Sequence, residues 1–296
     1  MEFESENVAK EYSLGLTAKH LHPDDAQNRL DSYRSYHKSA HSEDDKRYWA
    51  REIYRLEEYI NSDEFKNGEY PQGIDELILE LIEWRAAIFA FQNVDTEKDP
   101  FKEHVFFAQW LVGGTYTVFC ILGKLANNDS RDNSLWNLWP IVSEYVRNSG
   151  LCGEGEIEKI NKKMHRTEGH FKNANSRAVL FRNKMIAHNE CSPKIEWLEI
   201  DEDIKLLCRI WALITMWQSI GIIQPFRDAH QAFSGLENVF TPVETKALCE
   251  QRDIYIDKVE RWCTHSIVDK QQVSERSPFG RMSLSFSIKP SEPANA

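Results

Sequence analysis

Apolar residues in this chain recur at alternating spacings of three and four, and no segment alternates apolar with polar residues over the length of a strand. That pattern restricts the fold to helices packed on helices. The most regular stripe is Ile157, Ile160, Met164, Thr167, Phe171, Ala174, Ala178, Phe181, Met185 and His188. It predicts one helix, bent at Gly169, with His188 on the core-facing side and Arg182 about 100° around the axis from Phe181. Leu77, Leu81, Trp84, Ile88 and Phe91 form another core-facing stripe. From Ile204 through Leu207, Cys208, Trp211 and Ile214 to Ile223 the pattern is apolar on more than one side. Such a helix suits the centre of a bundle or a dimer seam.

The remaining punctuation orders the chain. Residues 1–22 carry little pattern, and a first helix is expected from about residue 22, with a weak stripe at Leu30, Tyr33 and His37 and a clearer one at Trp49, Ile53, Leu56 and Ile60. Residues 67–73 are rich in turn formers, and Asp75 is expected to cap the helix that follows. Pro140 is expected to open a short helix reaching Arg147, because proline suits a first turn. Residues 150–155 form a second joint, and acidic residues 201–203 are expected to precede the central helix, which Pro225 ends. Thr241, Pro242 and Glu244 have capping-box chemistry, for a helix running to about His265. The expected organisation is an N-terminal charged helical extension (1–72), a helical bundle (73–226), a C-terminal helical extension (227–270) and a flexible tail (271–296).

A chain of 296 residues, 41% hydrophobic and 28% charged, has the composition of a globular protein with a real core. Its net charge of -11 argues against unspecific coating of nucleic acid, so any nucleic-acid site must be local. Such a local run exists in Lys159, Lys162, Lys163, Arg166, Lys172, Arg177, Arg182 and Lys184, opposed only by Glu168. Its alternative reading is a solvated helix face. The six cysteines are scattered, as in a reduced intracellular protein, and neither they nor the histidines make a zinc pattern. No glycine-rich phosphate loop occurs, which removes P-loop and Rossmann enzymes, so neither a metal nor a cofactor is expected. The acidic N-terminus lacks an apolar leader and predicts a cytoplasmic protein. Residues 105–123 are free of formal charge over about the length of a bilayer. Gly113, Gly114 and the polar residues among them predict a helix buried in the bundle by close packing, not a membrane span.

Arg182 is followed by Asn183, and His188 stands six positions on, after Ala187, where Asn189 and then Ser192-Pro193 stop the helix. This run resembles the signature of the HEPN superfamily: an arginine, a polar residue, and a histidine a few residues later. The same loose spacing at Arg34 and His41 lacks the asparagine and the apolar helix. The resemblance implies an all-α, HEPN-like helical bundle, a homodimer whose paired motifs share one RNA cleft, and metal-independent endoribonuclease activity of the toxin or antiphage-effector type, with an antitoxin or regulatory protein as a further partner. It also implies roles. His188 moves a proton, Arg182 holds phosphate oxygens, and Asn183 orients them. Two readings stand beside it: a HEPN-like module that binds RNA, a nucleotide or a protein without cutting, and a helical scaffold in which His188 merely closes a helix end. The dimer seam is expected to include the motif helix and the helix from Ile204 to Ile223.

Overall fold

The computed structural model describes residues 3–17, 23–67, 73–97, 105–129, 133–165, 167–171, 176–187, 196–221 and 232–268. Among these it holds eleven α-helices, one π-helical turn and no strand, an all-α architecture. In chain order they are α1 Glu6–Thr17, α2 Pro23–Ser39, α3 Glu43–Ile60, α4 Asp63–Asn67, α5 Ile74–Asn93, α6 Val105–Leu125, α7 Leu135–Asn148, α8 Glu154–Lys163, α9 Arg177–Phe181, the π-turn Arg182–Ala187, α10 Trp197–Trp217 and α11 Pro242–Thr264.

Helix α10 is the axis of the fold because it is apolar all round. Ile204, Leu207, Ile210, Leu213 and Ile214 are fully buried, and a helix of that kind is stable only when other helices surround it. Helices α7, α9 and α11 pack on it, while α5 joins both α6 and α11. Of the two places that the sequence left open for this helix, the centre is the one observed. Its apolar residues from Ile204 to Ile214 are spent inside the chain, while Leu198 near its start is exposed.

Polar side chains inside this core are paired with one another, as burial requires. Arg85 of α5 makes a two-pronged pair with Asp201 at 2.9 and 3.1 Å, and the Tyr255 hydroxyl of α11 donates to the same carboxylate at 2.9 Å. Arg209 grips Glu156 of α8 at 2.9 Å through two nitrogens and donates to the Cys263 carbonyl at 2.6 Å. Burial alone would raise the Glu156 carboxyl, but the Arg209 hydrogen bond and charge outweigh it and hold it below its ordinary value. Trp211 donates its indole N–H to Asp75 at 2.7 Å.

Several expectations are corrected. Residues 6–17 form a helix, which presents the small residues Ala9, Ser13 and Thr17 to the core and is held by Gln218 donating to Ser13 at 2.7 Å and Thr17 at 3.2 Å. Asp75 does not cap α5. Gly73 occupies the cap position, and Asp75 is buried one residue into the helix. Pro140 lies inside α7, which opens five residues earlier because the Ser134 hydroxyl accepts from the Asn137 amide. Helix α10 opens at Trp197, so Asp201 and Asp203 are buried within it and do not precede it. It stops at Trp217, where Ser219 adopts φ 68 and the Ile220 amide returns to the Thr215 carbonyl at 3.0 Å; Pro225 lies outside the described residues.

The capping box at Thr241 and Glu244 is present, with the Glu244 amide donating to Thr241 Oγ1 at 3.3 Å and the Thr241 amide donating to Glu244 at 2.8 Å. Both α1 and α11, from the two expected extensions, contribute to the same hydrophobic cluster as α5 and α10. The expected tail lies outside the described residues. Helix α6 is long and apolar enough to cross a membrane, and a third of its apolar window is buried. Its Phe107 and Trp110 pack on Phe91 of α5 and its C-terminal half is largely buried, whereas Val105 (73%) and Val112 (53%) are exposed. Of its glycine pair, Gly114 faces Trp84 so closely that a Cβ would stand 2.8 Å from the indole, while Gly113 faces open space.

Candidate functional site

The segment bearing Arg182 is built differently from the single helix that its stripe predicts. Helix α8 ends at Lys163, and the chain then turns twice between Met164 and Phe171. The turn is closed by the Gly169 amide donating to the His165 carbonyl at 2.8 Å and the His170 amide donating to the Lys163 carbonyl at 2.6 Å. Any Cβ at Gly169 would come within 2.2 Å of the His165 oxygen, so the fold requires glycine here. The stripe residues Ile157, Ile160, Met164, Phe171 and Ala178 are buried all the same, while Thr167 is exposed. Burial follows the spacing even though the helix does not.

Helix α9 restarts at Ser176, whose hydroxyl accepts from the Val179 amide at 3.2 Å, a cap worth about 1 kcal/mol. At Arg182 the hydrogen bonding widens into the π-turn, a form that occurs mostly as single turns and often at functional sites. Phe181 stacks on Phe119 of α6, with ring centres 4.4 Å apart and planes 29° apart. A stack of this kind adds about 0.5–1.5 kcal/mol to the burial of the rings.

The half-buried Arg182 side chain then crosses α6 at Gly123. A Cβ there would lie 2.6 Å from Arg182 Cδ and 2.7 Å from Nε. Glycine at 123 is thus the slot that lets the guanidinium run over the helix surface. Arg182 Nη1 donates weakly to Asn183 Oδ1 at 3.4 Å. His188, the third candidate residue, lies outside the described residues, as do Arg166 and Lys172.

The basic run is divided. Lys159, Lys162 and Lys163 belong to α8, on one side of the turn at Gly169, and Arg177 and Lys184 flank Arg182 on the other. They lie on separate helical segments, not on the single helix that the stripe predicts, which corrects that expectation. Lys159 donates to the Ile267 carbonyl at 2.8 Å, and Arg177 lies 3.9 Å from Glu199. Arg34 of the weaker motif pairs with Glu57 at 2.8 Å and with Asp31 at 3.4 Å, a structural role on the α2–α3 hairpin. Among the described residues no group of three His, Cys, Asp or Glu side chains could hold a metal ion.

One constellation escaped the sequence reading. Asp203, buried in α10, accepts from Ser176 Oγ at 2.7 Å through one oxygen and is hydrogen-bonded to His170 Nε2 through the other. Because the carboxylate accepts, Nε2 carries the hydrogen, and Nδ1 of the neutral ring is left as an acceptor. The His170 side chain is 28% exposed. Its only sequence signal was a histidine next to the glycine that the tight turn demands.

The chain matches no protein-family model, no curated protein and no solved structure.

Proposed function

We propose that the protein is a metal-independent endoribonuclease of HEPN type, acting as a toxin or antiphage effector on cytoplasmic RNA, with the Arg182 segments of two copies sharing a cleft. The observation that carries this reading is the seating of Arg182: a half-buried arginine, run through a glycine slot on α6 and followed by an asparagine within its reach, at the start of a π-turn. A fixed planar donor fork is suited to a phosphate, whose oxygens accept two N–H groups at once.

In the reaction the ribose 2′-oxygen bonds to the adjacent phosphorus and the bond from phosphorus to the 5′-oxygen breaks, which leaves a 2′,3′-cyclic phosphate and a 5′-hydroxyl. RNA supplies the nucleophile, so the protein needs only to move protons and to offset charge on the phosphate. His188 moves a proton, because an imidazole titrates near neutral pH. Arg182 offsets the charge, and Asn183 orients it. The exposed apolar residues that remain for a homodimer include Val105, Val112 and Tyr116 of α6.

The test is cleavage of single-stranded RNA by the purified chain in EDTA. Arg182→Ala and His188→Ala are each expected to lower the rate about 10²-fold or more, with far-UV circular dichroism and size in solution unchanged. Wild type inert on a broad set of RNAs would leave the binding-module reading in its place. Full activity in both variants would put the site elsewhere.

A further inference from the structure

We propose that His170, held by Asp203, is the general base of this site. The proposal rests on the ribonuclease reading above and adds a residue which that reading did not contain.

Three observations carry it. First, Asp203 is buried and gives one oxygen to each of two partners, His170 and Ser176. A carboxylate placed behind an imidazole fixes the ring and its tautomer, and it stabilises the imidazolium that forms when the outer nitrogen takes a proton. Second, the ring is reachable. The side chain is 28% exposed, and among the described residues Nδ1 has no hydrogen-bond partner. Third, the pair is tied to the motif. Ser176 is the N-cap and Arg182 the C-cap of the same short helix. Six positions at about 1.5 Å each place the backbones of Ser176 and Arg182 roughly 9 Å apart, a gap that the long Arg182 side chain and a phosphate bound to it can close.

The backbone keeps the ring in place. The turn at Gly169 has no room for a side chain, and Phe171, next to His170, is buried edge-on against Trp136. Asp203 thus connects the base to the arginine-bearing segment through a single carboxylate.

In the step proposed, Nδ1 of His170 takes the proton of the ribose 2′-hydroxyl as that oxygen bonds to phosphorus. The electron pair of the breaking bond goes to the 5′-oxygen, which takes a proton from His188, the proton carrier of the reading above. The imidazolium on Asp203 later returns its proton to solvent. No redox change and no external nucleophile is involved.

The experiment measures cleavage of single-stranded RNA in EDTA from pH 5 to 9 by wild type, His170→Ala, His170→Asn, Arg182→Ala and His188→Ala. His170→Ala is expected to lose about 10²-fold or more in kcat with KM little changed, to lose the acid-side limb of the pH profile, and to recover activity when free imidazole is added. A merely structural histidine would not be rescued by imidazole. His170→Asn keeps an N–H for Asp203 and so preserves the turn, yet it carries no base; it is expected to be as inactive as His170→Ala. Wild-type rates and pH profile in His170→Asn would overturn the proposal, as would a loss that imidazole does not restore. If those results came with inactive Arg182→Ala and His188→Ala, the ribonuclease reading would survive without His170. Inert wild type would overturn both.

Discussion

Asp75 offers the sharpest physical test of the fold. It is buried beside Trp211, and burial, its largest influence, pushes its carboxyl up from 3.8 to about 6 against the opposing effects of the Trp211 hydrogen bond and the Arg29 charge. Between those two values the folded chain holds a proton that the unfolded chain has released. Stability from this group therefore falls as pH rises through the window and levels off above it. At about 1.4 kcal/mol per unit, the ionised form costs roughly 3 kcal/mol at pH 7.5, of which about 1.4 kcal/mol accrues between pH 5 and pH 7.5.

Asp75→Asn keeps an oxygen for the Trp211 indole and removes the titration. Among the described residues one Asp75 oxygen has no hydrogen-bond partner, so the amide nitrogen that replaces it is left buried and unsatisfied, at a cost of about 1–3 kcal/mol. The difference between two pH values cancels that cost. Urea unfolding followed by circular dichroism at pH 5 and pH 7.5 should show the stability drop of the variant smaller than that of wild type by about 1.4 kcal/mol. An equal drop in both proteins would mean that Asp75 does not titrate in this window and is not held in an apolar setting.

Gly123→Ala should leave helicity intact, since alanine favours helix, yet displace Arg182 and lower the proposed RNA cleavage at least 10-fold, because its Cβ would sit 2.6 Å from Arg182 Cδ. Normal kinetics would show that the slot is irrelevant. Glu156→Gln leaves the buried Arg209 charge without its counterion and should lower unfolding free energy by about 3–5 kcal/mol in urea titrations, whereas Arg209→Met combined with Glu156→Leu should recover much of it. Charge reversal at Lys162, Lys163, Arg177 and Lys184 together should weaken the proposed RNA binding and flatten its dependence on salt by about one unit of slope per lost phosphate contact, measured by fluorescence anisotropy at several salt concentrations.

Element type was readable from spacing, and so was much of the core, because burial tracks periodicity even where the helix is interrupted: Ile157, Ile160, Met164 and Phe171 are all inside although the chain turns between the last two. Continuity was not readable, since a periodic stripe says nothing about whether the backbone between its members stays helical. Gly169 was the one local sign. Helix α1 escaped because its inner face is made of Ala9, Ser13 and Thr17, which contact the core through small size and hydrogen bonds instead of apolar bulk. Asp201 and Asp203 read as the acidic start of a helix because their partners are remote in sequence; Arg85 stands 116 positions from Asp201, and His170 stands 33 from Asp203. At the candidate site, Arg182 and Asn183 are neighbours in sequence, so their contact was legible there. The His170 pairing was not, for the same reason of distance.

The ties that close the core also fix when it can close. Arg85 waits for Asp201, Trp211 for a partner 136 positions earlier, Gln218 for one 205 earlier, and Arg252 for Glu83, 169 positions back. Contacts this distant are made late, after the entropy of large loops has been overcome. During synthesis α10 therefore emerges with the side that faces α11 open, and α11 covers it only when nearly the whole described chain has been made. The Arg182 segment leans on α10 through Asp203, so it too is assembled late. A chain truncated before Pro242 would carry every motif residue yet lack the helix that completes their support.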